Sequence, residues 1–352
     1  MTRDPAPAEK SPRFSIFIPV RNDTTWLPAA IESVVAQSYG EWELIVGDNV
    51  STEDVAGVVA SFKDVRVRYH RWETPTDIFE NFNRTALLSR YEWLQFLGAD
   101  DRLRPQCLAR MAAALAEAPA DRRVAMVLTA CRRLDLEGRS ADRIWYGSKP
   151  KVRVKPGIYD PAAWFHVVTS DGNPPWNVGS VAVARSVVEE SGGYFRPDVG
   201  LSSDIEMELR VGAYGDVVYV DEPLLDFTVR PDSDGSRRLW VNRARGDSRT
   251  VIGAALLSGL RVHEHCRQVS QAERARVYGA IARSHLQRAA QHRVFPAGQG
   301  RRGAIRDVWR ALVTRPTTVL APYNLAYALA AIGAPRRLLE VAQQRLSARH
   351  PT

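Results

Sequence analysis

The stretch Trp93-Leu94-Gln95-Phe96-Leu97-Gly98-Ala99-Asp100-Asp101-Arg102-Leu103 decides how the rest of this 352-residue chain is read. An aromatic and aliphatic run without charge, ending abruptly in two adjacent carboxylates, predicts a strand covered on both faces, the pattern of a parallel sheet. Such sheets bind ligands beyond the carboxyl ends of their strands, and Asp100 and Asp101 fall at that end. Neighbouring carboxylates repel each other unless a divalent cation or hydrogen-bond donors compensate them. Taken alone, the pair has a second reading, in which Asp101 caps a helix that begins near Arg104-Pro105.

Outward from this strand, the chain alternates. Phe14 to Val20 reads as a first strand and Thr25 to Gln37 as a helix; Trp42 to Gly47 as a strand, then a helix capped by Ser51 and running to Phe62; Val65 to His70 as a strand, then a helix from Asp77 to Ser89. After the acidic pair come a helix from Arg104 to Glu117 and a strand from Val124 to Ala130. Four rounds of strand and helix demand a mostly parallel sheet with right-handed crossovers, an architecture that suits nucleotides without naming a reaction. The loop after the first strand, Pro19-Val20-Arg21-Asn22-Asp23, lacks the glycines of a dinucleotide fingerprint and the glycines and lysine of a P-loop. What the strand ends offer instead is Asn22, Asp48, and then Asp100 with Asp101.

The net charge of +8 hides an asymmetry. Residues 1–236 carry a net of −8, whereas residues 237–352 hold 21 Arg, no Lys and five acids, a net of +16. A basic tail of this kind is drawn to anionic surfaces or acidic partners. Three scattered cysteines, Cys107, Cys131 and Cys266, give neither a disulfide framework nor a zinc pattern, which suits a reducing cytoplasm. Residues 1–13 are polar and proline-rich, a disordered tail instead of an apolar export segment.

Three segments together resemble the nucleotide-side motifs of family 2 glycosyltransferases: Ile18-Pro19-Val20-Arg21-Asn22, Gly47-Asp48-Asn49-Val50-Ser51-Thr52-Glu53-Asp54, and Phe96-Leu97-Gly98-Ala99-Asp100-Asp101. The resemblance implies an α/β protein of the GT-A fold over residues 14–236, with a nucleotide-binding half (14–130) and an acceptor half (131–236). It also implies an inverting transfer of sugar from a nucleoside diphosphate sugar to an acceptor hydroxyl. It sets the donor against Pro19, Arg21, Asn22, Asp48, Asn83, Asp100 and Arg230, with Asp48 on the base. Asp100 and Asp101 take the ribose and a Mg²⁺ or Mn²⁺ that neutralises the departing diphosphate, chemistry for which hard oxygen ligands are suited. Many members carry an acid where this chain has Gly98.

In the acceptor half, Asn177 to Ala184 reads as a strand, followed by Gly192-Gly193-Tyr194-Phe195 and the acidic run Ser202-Ser203-Asp204-Ile205-Glu206-Met207-Glu208. Two helical residues advance about 200°, so Asp204 and Glu206 face opposite ways. By itself this run reads as a solvated helix start favoured by the helix dipole. The resemblance places the catalytic base here, on Asp204 with Glu206 in reserve, although Ser203 stands where the family pattern has glutamate. Trp176 and Asn177 are candidate acceptor contacts, while Trp164 reads as structural. Val217 to Val220 and Leu224 to Val229 read as closing strands. Arg230 falls where relatives often have a histidine; a guanidinium cannot ligate a metal but can clamp phosphate oxygens.

The tail, 237–352, predicts helices over Gly246 to His265, Gln271 to His292 and Ala304 to Val313, with arginine on their polar faces. Two readings suit them, binding to an anionic membrane surface on the inner face of the cell membrane, or a helical subdomain that packs on the body or makes a homodimer; nucleic acid is not expected, since no recognition motif accompanies the charge. The acceptor stays open among a lipid-linked glycan, a growing polysaccharide and a small metabolite. The rival function is a non-catalytic module that keeps the nucleotide pocket, which the departures at Gly98, Ser203 and Arg230 would suit.

Overall fold

The computed structural model describes residues 11–141, 154–170, 174–230, 250–294, 300–315 and 328. Most of the expected disordered tail lies outside them. In order, the elements are β1 (Phe14–Val20), α1 (Leu27–Val35), β2 (Trp42–Asp48), α2 (Val55–Ser61), β3 (Val67–Arg71), α3 (Ile78–Leu87), β4 (Trp93–Phe96), β5 (Arg102–Leu103), α4 (Cys107–Ala116), β6 (Val124–Leu134), β7 (Gly157–Tyr159), α5 (Pro161–Val168), β8 (Val181–Ala184), α6 (Arg185–Glu190), α7 (Ser203–Val211), β9 (Asp216–Thr228), α8 (Thr250–Cys266), α9 (Gln271–Val294) and α10 (Gly300–Thr314).

Two compact units divide the chain, residues 1–164, 172–195 and 214–229 in the first and 165–171, 196–213 and 230–352 in the second. The first holds the sheet, in the order β3-β2-β1-β4-β8-β6-β9-β5, with β7 also paired to β9. Strands β3, β2, β1 and β4 are mutually parallel; β8 runs antiparallel between β4 and β6, and β6 and β9 are parallel. The sheet is therefore mixed beyond β4. Every residue of β1 and β2 is buried, as expected of central strands covered on both faces. The chain runs outward from β1 through β2 to β3 and then returns to β4 on the other side of β1. That reversal is the place where an open α/β sheet leaves a crevice at its carboxyl edge.

Several local expectations shift. Helix α2 is capped by Asp54, whose carboxylate accepts the Gly57 N–H, and not by Ser51. The cap of α4 is Gln106, without a side-chain bond, so Asp101 caps no helix there. The strand expected from Asn177 begins only at Val181, because Asn177 and Ser180 form a reciprocal capping box around a 3-10 turn. The two closing strands merge into β9, with the register against β6 shifting around Ala130 where Pro223, lacking an N–H, interrupts the ladder.

The second unit gathers α7 with the C-terminal helices. Phe165, Leu209, Leu256, Leu260, Val269, Val277 and Ile281 form one buried cluster. Ala282, Leu286, Ala304, Val308, Ala311 and Ala328 form another. These units do not follow the expected boundary at residue 237: α7, expected in the acceptor half, packs with the tail. Among the described residues no helix is long and apolar enough to cross a membrane.

Candidate functional site

The carboxyl edge of the sheet brings the sequence motifs together. Val20 lies beside Asp48 in the register of β1 and β2, and the Leu97 N–H donates to the Phe17 carbonyl, continuing the β1–β4 pairing toward the acids. Pro19 is buried opposite Gly47, and Arg21 is exposed. Asn22 adopts a left-handed conformation (φ 51°). Its Oδ1 accepts the Thr52 N–H at 2.7 Å and the Glu53 N–H at 3.3 Å, and its own N–H donates to Ser51 Oγ at 3.0 Å. Asn22 thus ties the loop after β1 to the loop after β2. Val50 also has a positive φ of 57°, a strained conformation for a β-branched residue that costs about 1–3 kcal/mol and concentrates at functional sites.

Asp48 is fully buried and heavily bonded. Its Oδ1 accepts the Ser51 N–H at 2.8 Å; its Oδ2 accepts the Tyr69 hydroxyl at 2.7 Å and Arg71 Nη1 at 2.6 Å. Burial alone would raise its pKa, but these hydrogen bonds outweigh desolvation and hold the carboxyl below the ordinary value, so Asp48 is an anion. Sequence reading missed Tyr69 and Arg71. They lie two residues apart on β3, on one face by strand periodicity, but nothing local says that this face meets Asp48.

The acidic pair splits into two environments. Asp101 is 2 % exposed, and its Oδ1 accepts the Thr228 N–H from the end of β9 at 2.9 Å; Asp100 is only partly buried. Gly98 lies against both. A Cβ added there would sit 2.7 Å from Asp101 Oδ2 and 3.0 Å from Asp100 Oδ1, so the missing side chain leaves room for the two carboxylates. Among the described residues no group of three His, Cys, Asp or Glu side chains is gathered to hold a metal. Two carboxylates still fit Mg²⁺ or Mn²⁺, which commonly take one or two from the protein and the rest from water and phosphate.

Other expected contacts are occupied by the fold. Asn83 Nδ2 donates to the Phe195 carbonyl at 2.9 Å and its Oδ1 accepts the Phe195 N–H at 2.8 Å, clamping the loop after α6. Trp176 is 3 % exposed, its ring 5.2 Å from Trp164 and 5.9 Å from Tyr219. The loop before it is held by the buried Arg133, which donates to the carbonyls of Pro174 and Trp176. Cys107, buried in α4, has its thiol pushed up to about 12 by desolvation, which excludes a thiolate nucleophile there.

In the second unit, Asp204 is partly buried on the first turn of α7, and its Oδ1 accepts the Ile205 N–H at 2.8 Å. Desolvation raises its pKa, against the lowering effect of that backbone bond. Glu206 is fully buried and accepts Arg210 Nε at 3.1 and 3.0 Å and Ser258 Oγ at 3.0 Å. The reserve carboxylate is thus committed to a buried ion pair on the opposite face, as the helical period requires. Ser203 Oγ donates to the Arg196 carbonyl. Arg230 is 7 % exposed, and the residues that follow it to 249 lie outside those described.

The model of the family described as Glycosyl transferase family 2 matches residues 15–154. A PGL/p-HBAD biosynthesis glycosyltransferase of Mycobacterium tuberculosis is 39% identical over 111 residues, 30% of this chain and 43% of the relative, so the chain spans less than half of that protein's length. Among solved structures, residues 1–349 of S. aureus TarS in complex with UDP-GlcNAc superpose with a TM-score of 0.64 at 15% identity, covering 94% of this chain and 92% of that one. A Pyrobaculum calidifontis mannosyltransferase in complex with GDP-Man and Mn²⁺ gives a TM-score of 0.52 at 16% identity, covering 92% and 86%. At these identities the likeness is one of fold, the GT-A architecture that the motifs led us to expect.

Proposed function

We propose that the chain, whose residues 15–154 match the model of glycosyl transferase family 2, transfers a sugar from a nucleoside diphosphate sugar to an acceptor hydroxyl with inversion. The observation that carries the reading is Asp48, an acceptor-only anion held by Tyr69, Arg71 and Ser51 at the carboxyl edge of β2. A carboxylate in this state is matched to a base N–H, and it stands one strand from β1, where the sheet reverses. The TarS and mannosyltransferase structures both hold nucleotide sugars, which supports the same donor class here.

In this reading Asp100 and Asp101 would hold a divalent cation, which supplies charge neutralisation at the departing diphosphate. Asp101, fixed by the Thr228 N–H, needs little reordering to receive it. Asp204 is the proton acceptor. The acceptor oxygen forms its bond to the anomeric carbon, its proton passes to the Asp204 carboxylate, and the bond to the diphosphate oxygen breaks with its electron pair leaving on the diphosphate. A carboxyl whose pKa is raised by burial is a stronger base than a solvated one, which suits the task.

The test is a thermal-shift titration with UDP-N-acetylglucosamine and with GDP-mannose, each with and without Mn²⁺, followed by assay of the nucleoside diphosphate released in the presence of hydroxyl acceptors. A ligand that binds only the native state raises its melting temperature. A cation-dependent rise with turnover is expected. Binding without turnover in any acceptor mixture would favour the non-catalytic nucleotide module, and no rise with either donor would overturn both readings.

A further inference from the structure

We propose that α8 is the positioning element of the candidate base, with His263, Gly259 and Ser258 fixing α7 so that Asp204 keeps its orientation. The inference rests on the reading of Asp204 as proton acceptor, and it concerns residues far outside the segment matched to the family, 15–154.

Three contacts pin α7 along one face. Ser258 Oγ donates to Glu206 Oε1 at 3.0 Å. His263 is fully buried, and its Nε2 bonds the Leu209 carbonyl at 2.9 Å. Arg267 Nε reaches His263 Nδ1 at 3.0 Å. A guanidinium only donates and a carbonyl only accepts, so the imidazole must carry its proton on Nε2 and be neutral. The third contact is steric: a Cβ on Gly259 would lie 2.5 Å from Leu209 Cβ, so the two helices approach as closely as a glycine permits.

Geometry turns this pinning into orientation. Glu206 and Leu209 are three residues apart and share a face of α7, whereas Asp204 is set about 200° from Glu206. Fixing the first face therefore fixes where the opposite one points. The spacing from Asp204 to Leu209 is about 7.5 Å of helix, short enough for a rigid element to carry the constraint. Misplacement of a catalytic group by about 1 Å costs up to about 10²-fold in rate, so a loosened α7 would matter without loss of the fold.

His263→Leu, His263→Gln and Gly259→Ala in the full chain test the proposal. Gln keeps an N–H near the position of Nε2, and Ala in a helix interior is ordinarily stabilising relative to Gly. Three readouts are compared: the Asp204 carboxyl titration by ¹³C NMR, assigned with Asp204→Asn; kcat against donor KM; and melting temperature. His263→Leu and Gly259→Ala are expected to lower the Asp204 titration midpoint, back toward that of a solvated aspartate, as the helix start becomes hydrated. They should lower kcat about tenfold while leaving donor KM within about twofold. His263→Gln should restore both. An unchanged Asp204 titration in folded His263→Leu and Gly259→Ala proteins, or no recovery with Gln, overturns the inference. Should His263→Leu fail to fold, Gly259→Ala carries the same readouts. A wild-type protein without turnover whose Asp204 titration still responds would sink the transferase reading and leave the positioning role standing.

Discussion

The main-chain N–H of Thr228 donates to Asp101 Oδ1 across 2.9 Å, joining residues 127 positions apart. One acid of the pair is thereby fixed to the closing strand, while its neighbour Asp100 keeps partial access to solvent. The Thr228 donor compensates part of the repulsion between the adjacent carboxylates.

Replacing both acids, Asp100→Asn with Asp101→Asn, should abolish Mn²⁺-dependent donor binding while retaining the fold, since an amide Oδ1 still accepts the Thr228 N–H. Thermal shift with and without Mn²⁺ reads the outcome. Cation-dependent stabilisation equal to wild type would remove both residues from the metal assignment.

Asp48→Ala should weaken donor binding by about tenfold or more, the scale of a lost charge-assisted hydrogen bond. Tyr69→Phe, which removes one of the bonds to the carboxylate, should have a smaller effect in the same direction. Isothermal titration with UDP-N-acetylglucosamine measures both. Unaltered affinity in Asp48→Ala would move base recognition elsewhere on the sheet edge.

Asp204→Asn should lower kcat by about 10² with donor affinity preserved. A base must be unprotonated to act, and burial raises this pKa. The acid limb of kcat should therefore lie above the ordinary aspartate value of about 3.9, with activity lost as pH falls through it. A pH–rate profile whose acid limb persists in Asp204→Asn would assign the limb to another group.

Glu206→Ala should act on stability. It leaves Arg210 as a buried cation without this partner, and breaking such a pair costs about 3–5 kcal/mol. Denaturant unfolding measures the loss; a change under about 1 kcal/mol would show that Arg210 finds compensation.

His263 gives stability a pH dependence of defined sign. Its pKa is lowered to about 4, first by desolvation and then by the adjacent Arg267, whereas an unfolded histidine titrates near about 6.5. Between those values only the unfolded chain takes up the proton, so stability is full above about pH 6.5 and falls as pH drops toward 4, by roughly 3 kcal/mol. His263→Gln should flatten that slope in urea midpoints collected across the window; an identical slope in the variant would place the titration elsewhere.

By itself the sequence determined the features that depend on neighbours along the chain. Runs rich in apolar residues at β1, β2 and β4, each with one polar member (Ser15, Glu43, Gln95) inside it, are buried between two layers, and their alternation with helices favours parallel pairing. Acids that follow such strands emerge at the carboxyl edge, so the placing of Asp48 and Asp100-Asp101 along that edge was legible, and the helical period alone set Asp204 against Glu206. Tertiary structure decided the fate of each polar group. Asp48 is held by Tyr69 and Arg71, Asn83 is spent on the Phe195 backbone, and Glu206 is tied to Ser258 of a helix that the motifs do not reach. Those partners lie tens of residues away or more, and their pairing follows from which faces the packed core brings together, information that a local pattern of residue types does not carry.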